Sequence, residues 1–293
     1  MTRAYWPLLG LLALIWGASY LFIKVAVDDV EPAAMMFFRL AVAGLLLLPL
    51  VLARGQLWEM RRAWRAGLVL GIANAAVPFT LIAWGEQYVD SGVAAIANAT
   101  VPLFVALLLI RFLPSERLSR SRLAGVLLGL VGVAVLTGGQ PAAGGWWAVA
   151  GTLAVVVASF AYAIGGVYGQ VRVQGTSGPV LATASMLAGA LVLLPLAAFQ
   201  VPDELPSREA LGSLLALTVL GTAFAQLILF RMLRLHGSAR LSLVTYLMPP
   251  VALFYGALLL DEPVRTEAVA GLALILAGVA VGSGKMRRRP QRA

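Results

Sequence analysis

Aromatic, amide and hydroxyl side chains recur at helical spacing along this chain, and they define the chemistry it can do. Trp16, Tyr20 and Lys24 follow one another at i, i+4 and i+8, which places them on one helix face that is aromatic for two turns and ends in a cation. Asn74 and Pro78 stand at i and i+4, with Thr80 two residues on, so an amide and a kink share a face. Asn98 and Pro102 come next, and the second half of the chain adds Tyr162, Thr222, Gln226, Tyr246 and Pro249. Rings supply apolar contact and bind cations on their faces, while a few amides and hydroxyls orient a ligand. Together these side chains suit noncovalent capture of a small amphipathic solute. The alternative is that the rings only pack helices.

Bond-making chemistry is poorly served. The chain has no cysteine and a single histidine, His236, which the sequence places in a connection between apolar segments. No Asp or Glu falls in the middle of such a segment. Hydrolase or protease chemistry therefore lacks its nucleophile and base, and a metal lacks its ligands. Neither catalysis, a metal nor a cofactor is expected. Gly284-Lys285 resembles the end of a phosphate-binding loop, but the leading glycine position is occupied by Val279 and no strand precedes it.

The elements that must position these side chains are membrane spans. Of 293 residues, 61% are hydrophobic and 12% charged, with a mean hydropathy of +0.91; soluble domains carry about 25% charged residues. About 20 apolar residues cross a bilayer as a helix. Ten segments qualify, near 5–27, 33–53, 66–85, 91–111, 119–137, 146–168, 179–199, 211–230, 239–260 and 266–284. The first is too long for a signal-peptide core and is read as a span. Eighteen of the 22 basic residues fall at the two termini and in the even-numbered connections, against two, Arg208 and Arg265, in the odd-numbered ones. Basic residues gather on the cytoplasmic side, so both termini are expected in the cytoplasm. A net charge of +9 distributed this way indicates a bilayer and not a nucleic acid as partner.

Lys24 and Arg39 are the only charges written inside spans. They are expected near the outer mouth, snorkelling toward Asp28, Asp29 or Glu31 or meeting the carboxylate of a solute. Trp58 and Trp64 among Arg61, Arg62 and Arg65 read as an interfacial segment, and the Arg-rich tail as an anchor for anionic lipid.

Half the chain repeats the other half. Ser115-Glu116, Leu123-Ala124-Gly125 and Val131-Gly132-Val133-Ala134-Val135 recur 146 positions later as Asp261-Glu262, Val269-Ala270-Gly271 and Ala277-Gly278-Val279-Ala280-Val281. Around the first copy stand Arg111, Arg117, Arg120 and Arg122; around the second stand Asp261, Glu262 and Glu267 with a single Arg265. Five spans per repeat is an odd number, so the second copy must enter the membrane inverted. The expected fold is an all-α polytopic membrane protein, with ten transmembrane helices in two inverted five-helix repeats around a central cavity. The first repeat occupies 1–137, an outer (periplasmic) linker 138–145, and the second repeat with its basic tail 146–293. Glycines 125, 129 and 132 with Ala273 and Ala277 are expected to pack each repeat internally. Paired interruptions at Pro102 and at Pro249-Pro250 mark the solute site, because a proline frees a carbonyl one turn earlier. The offset of 146 also carries Trp16 onto Tyr162.

Leu14-Ile15-Trp16-Gly17, Arg39-Leu40, Ala99-Thr100-Val101-Pro102 through Pro114-Ser115-Glu116-Arg117-Leu118, and Tyr246-Leu247-Met248-Pro249 through Asp261-Glu262-Pro263 together resemble the EamA family of the drug/metabolite transporter superfamily. Within it, amino-acid exporters of the YddG type are the nearest comparison by length and layout. The resemblance implies a multi-pass inner-membrane secondary transporter that exports or equilibrates small amphipathic metabolites by alternating access, amino acids including aromatic or apolar ones foremost. Nucleotide sugars, lipid headgroups and drugs are the alternative cargo. It also implies a family-wide structural role for Arg39. With no mid-span acid or histidine to relay protons, facilitated diffusion or exchange is favoured over proton antiport, Glu86 and Asp90 being the nearest exceptions. The sequence leaves the oligomeric state open, a monomer being plausible.

Overall fold

The computed structural model describes residues 5–112, 120–138, 145–173, 175–236 and 244–283, and among them it is helical with no strand. The Ser115-Glu116 motif, Arg240, most of the linker and the basic tail lie outside the described residues. Seven helices are long and apolar enough to cross a bilayer: Tyr5–Ala26, Pro32–Ala53, Trp64–Glu86, Ser91–Leu109, Gly145–Arg172, Gly178–Ala197 and Arg208–Met232. Leu123–Gly138, Val244–Leu259 and Thr266–Val281 are shorter apolar helices. In chain order these ten are the first to tenth spans. The helix of the eighth span runs on past Met232 and ends at His236, so the connection that holds this histidine begins as helix. Large apolar side chains such as Leu45, Leu191 and Phe254 point outward, where lipid receives them, and small residues face neighbouring helices.

The spans pair in a way that exchanges the two halves. The fifth packs along the tenth and the second along the seventh; the first packs on the ninth as the sixth packs on the fourth, and the third on the sixth as the eighth on the first. A Cβ added to Gly132 would lie 2.9 Å from the carbonyl oxygen of Gly271, and one added to Gly278 would lie 2.5 Å from that of Gly125. The two contacts interchange when 146 is added to one residue and subtracted from the other. They also run in opposite directions, so the fifth and tenth spans are antiparallel and the repeats are inverted. Gly125 and Gly132 thus join one repeat to the other, with Gly271, Ile275 and Gly278 in the place expected for Ala273 and Ala277, whereas Gly129 faces Leu103 of its own repeat as expected. Such contacts bring backbones close enough for dispersion to hold helices together in lipid.

The second and seventh spans are antiparallel as well. Ala33 N donates to Gln200 Oε1 (2.8 Å), and Ser177 N donates to Glu59 Oε1 (2.6 Å). Each helix N-terminus, with its orphan N–H groups, is satisfied by a side chain just past the C-terminus of the other.

The interruptions differ from expectation. The fourth span breaks into Ser91–Asn98 and Val101–Phe112, because Pro102 cannot donate to the carbonyl of Asn98. Thr100 closes the gap, its N (3.3 Å) and Oγ1 (2.7 Å) both donating to Ala97 O. The ninth span, however, runs through Pro249 and Pro250 as one helix, Val244–Leu259. The irregularities that do pair are π-helical turns, Ile72–Ala76 in the third span and Val219–Phe224 in the eighth. The first precedes Pro78, which leaves residue 74 without its helical donor. In the second, Thr222 Oγ1 donates back five residues to Leu217 O (3.0 Å).

Candidate functional site

Between the repeats lies a cavity of about 460 Å³. Its lining reaches Leu181, the fourth residue of the seventh span, and Thr245, the second of the ninth. It therefore extends toward the bundle end at which the first span begins. On the other side it stops at Ile23 and Ile82; beyond them Ala26, Val27, Val30, Ala83, Val89 and Val93 are buried in one apolar layer. The cavity is closed at that end.

Of the residues selected from sequence, Trp16, Tyr20, Asn74, Asn98, Tyr162, Thr222 and Gln226 line this space. Pro78, Thr80, Pro102, Tyr246 and Pro249 do not. Pro78 and Pro249 are buried away from it, and Tyr246 packs with Leu103, Val126 and Val279 toward the fifth and tenth spans. On the third span the cavity takes Leu70 and Asn74, then Phe79 and Ile82. A regular helix would continue from Asn74 to Pro78. The π turn inserts one extra residue, so Phe79 follows Asn74 into the cavity and Pro78 and Thr80 rotate out of it. The eighth span behaves alike: Thr222 and Gln226 line the cavity, while Thr218 turns into its own helix, donating to Leu214 O (2.7 Å).

Arg39 is the largest correction. It lies seven residues into the second span, roughly 10 Å below the helix start, and is 5% exposed on the cavity wall, not at an outer mouth. Its Nε donates to Thr222 Oγ1 (2.8 Å), and its guanidinium carbon stands 3.9 Å from the centroid of the Phe79 ring. One Nη reaches Met36 Sδ at 3.8 Å, a weak acceptor. The face of the helix that carries Arg39 is turned to the other repeat, so snorkelling toward lipid headgroups is not open to it. Nearby, Asn98 Nδ2 donates to Tyr20 Oη (2.8 Å) and Ser159 Oγ donates to Asn98 Oδ1 (3.0 Å). Phe79 and Tyr162 are tilted at 60° to one another, with centroids 6.3 Å apart. A cation held against aromatic walls, with amides and hydroxyls around it, fits an anionic group attached to an apolar body.

Lys24 does not line the cavity, nor does it pair with Asp28, Asp29 or Glu31. Its Nζ donates to the carbonyls of Glu86 (2.6 Å) and Val89 (2.9 Å), capping the C-terminal end of the third span where carbonyls lack helical partners. Across the same turn, the Glu262 carboxylate accepts from Ser91 N (2.8 Å) and Ser91 Oγ (2.7 Å) at the start of the fourth span. Asp29 accepts from Ser207 N (2.7 Å), and the Ser207 hydroxyl and amide hold its carboxyl below the usual aspartate range. Asp90 shifts the other way: burial raises its carboxyl, Glu262 adds to the shift, and Lys24 and Arg265 oppose it. Trp84, Tyr88 and Trp147 gather at this end, Tyr88 stacked on Trp147 at 5.2 Å. At the opposite end Arg62 and Arg65 lie over Trp58 and Trp64, both of them exposed, an arrangement that suits a membrane interface. Among the described residues no three His, Cys, Asp or Glu side chains meet as a metal site needs.

Phe79, Ser19, Ser185 and Met186 join the lining without having been anticipated. The π turn hid Phe79, and nothing in the local sequence marks the others.

The family model described as the EamA-like transporter family matches residues 4–138 and again 149–283. An uncharacterized inner membrane transporter of Escherichia coli K12, YedA, is 30% identical over 291 residues, covering 97% of this chain and 93% of that one. An uncharacterized transporter of Archaeoglobus fulgidus is 28% identical over 94% of this chain and 96% of its own length, and YoaV of Bacillus subtilis, also an uncharacterized transporter, 25% identical over 96% and 98%. A solved crystal structure, 21% identical, superposes with a TM-score of 0.67 over 99% of this chain and 100% of that one, a likeness of fold.

Proposed function

The chain belongs to the EamA-like transporter family, a multi-pass membrane transporter, and we propose that it equilibrates or exports small zwitterionic amphipaths, amino acids with apolar or aromatic side chains foremost. The observation that carries this reading is Arg39, a single guanidinium stacked on Phe79 in an otherwise aromatic and weakly polar cavity. One planar cation pairs with one carboxylate through two parallel hydrogen bonds; a phosphate-rich cargo would call for a cluster. Tyr20, Tyr162 and Trp16 offer ring faces to an ammonium and flat apolar walls to a side chain.

The basic residues gathered in the connections on the N-terminal side support a cytoplasmic N-terminal end in a bacterial-type inner membrane; in that orientation the cavity is loaded from inside while the opposite end is shut. Arg39 and Thr222 belong to different repeats, and a carboxylate that takes over the guanidinium loosens that link. This is how cargo favours the switch to the outward-facing state. Counterflow of labelled amino acids into proteoliposomes tests the proposal. Uptake of labelled phenylalanine or leucine against unlabelled internal pools is expected; absence of exchange for every amino acid, with exchange of a nucleotide sugar or a cationic drug, overturns it.

A further inference from the structure

Glu86 takes no part in the cavity and yet is the most deeply buried charge-bearing group of the outer end. It closes the third span, is 0% exposed, and neither carboxylate oxygen has a hydrogen-bond partner among the described residues. It stands one helical turn beyond Ile82, the last residue of its span to line the cavity, on the same helix face. The cation beside it does not compensate it by a hydrogen bond, for Lys24 directs its Nζ to the backbone carbonyls of Glu86 and Val89. The charged groups that face it are Lys24 from the first span, Arg39 from the second and Glu262 from the segment before the tenth. Tyr20 lies on the first span below it, and Asp90 and Arg265 share the neighbourhood of Glu262. The outer half of the sixth span, residues 145–159, holds no titratable side chain.

An ionised carboxylate without a partner is strongly disfavoured in such surroundings, the neutral acid far less so. The apolar layer of Ala26, Val27, Val30, Ala83, Val89 and Val93 therefore closes readily over a protonated Glu86 and poorly over an ionised one. We propose that Glu86 is a proton-binding site built into the outer seal: the seal takes up one proton from the outer side as it shuts and releases it to water as it opens. The ligand is the proton itself, and the site makes the balance between inward-facing and outward-facing states depend on external pH. This rests on the alternating-access reading above but not on the identity of the cargo.

The chain has no cysteine, so a single Val30→Cys reports opening of the seal by its maleimide labelling from outside, normalised to Leu205→Cys, which is 94% exposed. Three backgrounds are compared: Glu86, Glu86→Gln, which copies the shape of the neutral acid, and Glu86→Asp. The normalised labelling of Val30→Cys is expected to fall several-fold as the outside is taken from about pH 8 to about pH 6. It should be low and flat in Glu86→Gln and remain pH-dependent in Glu86→Asp. Labelling that is independent of pH in the Glu86 and Glu86→Asp backgrounds, or equally pH-dependent with Gln at 86, overturns the proposal. Since no cargo is present, such a failure is distinct from a failure of amino-acid counterflow.

Discussion

Arg39 of the first repeat donates through Nε to Thr222 Oγ1 of the second at 2.8 Å, so the guanidinium on the cavity wall also ties the two halves of the molecule together. A residue in that position is expected to govern both cargo affinity and the ease of switching. Arg39→Ala should lower amino-acid counterflow about tenfold or more, the equivalent of the roughly 1.5–3 kcal/mol that a charged hydrogen bond contributes. Arg39→Lys should recover only part of it, because an ammonium keeps the charge but not the planar fork. Exchange rates at saturating and limiting substrate check this; an Arg39→Lys carrier equal to the parent would remove bidentate recognition from the account.

The aromatic walls carry a separate expectation. Trp16→Ala and Tyr162→Ala should each raise the KM for an aromatic amino acid several-fold while leaving the amount of folded carrier unchanged, because both rings line the cavity and neither is fully buried. Size-exclusion profiles and counterflow measured on the same preparations separate binding from folding. Unchanged transport in both variants would take these rings out of the site.

Packing between repeats can be tested at Gly278. A Cβ there would lie 2.5 Å from Gly125 O and 2.8 Å from Gly129 N, both backbone atoms that cannot swing aside. Gly278→Ala is therefore expected to destabilise by about 1–3 kcal/mol, visible as a lower Tm in detergent. Gly10→Ala is the control: a Cβ there meets nothing within 4 Å, and alanine's helix preference should leave stability unchanged or raise it by up to about 1 kcal/mol.

The ten spans, their inversion and the cavity between them were legible in hydropathy, loop charge and the repeat offset. The aromatic face of the first span and Tyr162 were legible for the same reason, since helical phase is reliable along an unbroken helix. Two kinds of information were not. Ile72–Ala76 and Val219–Phe224 contain no residue that forces a π turn, so the one-residue advance that exchanges Pro78 for Phe79 left no local trace. Arg39 was misplaced because depth along a helix does not say which neighbour its face meets; with the seventh and eighth spans against it, the guanidinium turned inward to Thr222 instead of outward to headgroups. Glu86, named from sequence only as a near exception to the missing proton relay, stands at the very end of its span, and its complete burial was not legible for the same reason.

The contact between Asp29 and Ser207 sets a pH dependence of known sign. The Ser207 hydroxyl and amide keep the Asp29 carboxyl below its ordinary value, so whatever stability the contact contributes is fully present above the unfolded aspartate pKa of about 3.9. It is lost only as pH falls through the lowered value. Protection of the Ser207 amide against hydrogen exchange should persist at neutral pH and disappear on strong acidification, and Asp29→Asn should reduce it at neutral pH.

The glycine seam of the fifth and tenth spans has a mechanical consequence. Because Gly132 meets Gly271 while Gly125 meets Gly278, interchanging the shapes of the two repeats maps the seam onto itself. A motion that reverses which side of the bundle is open need not break these contacts at all. In the alternating-access cycle we propose, the seam serves as a fulcrum, and the distance travelled by each gate is set by its lever arm from that line.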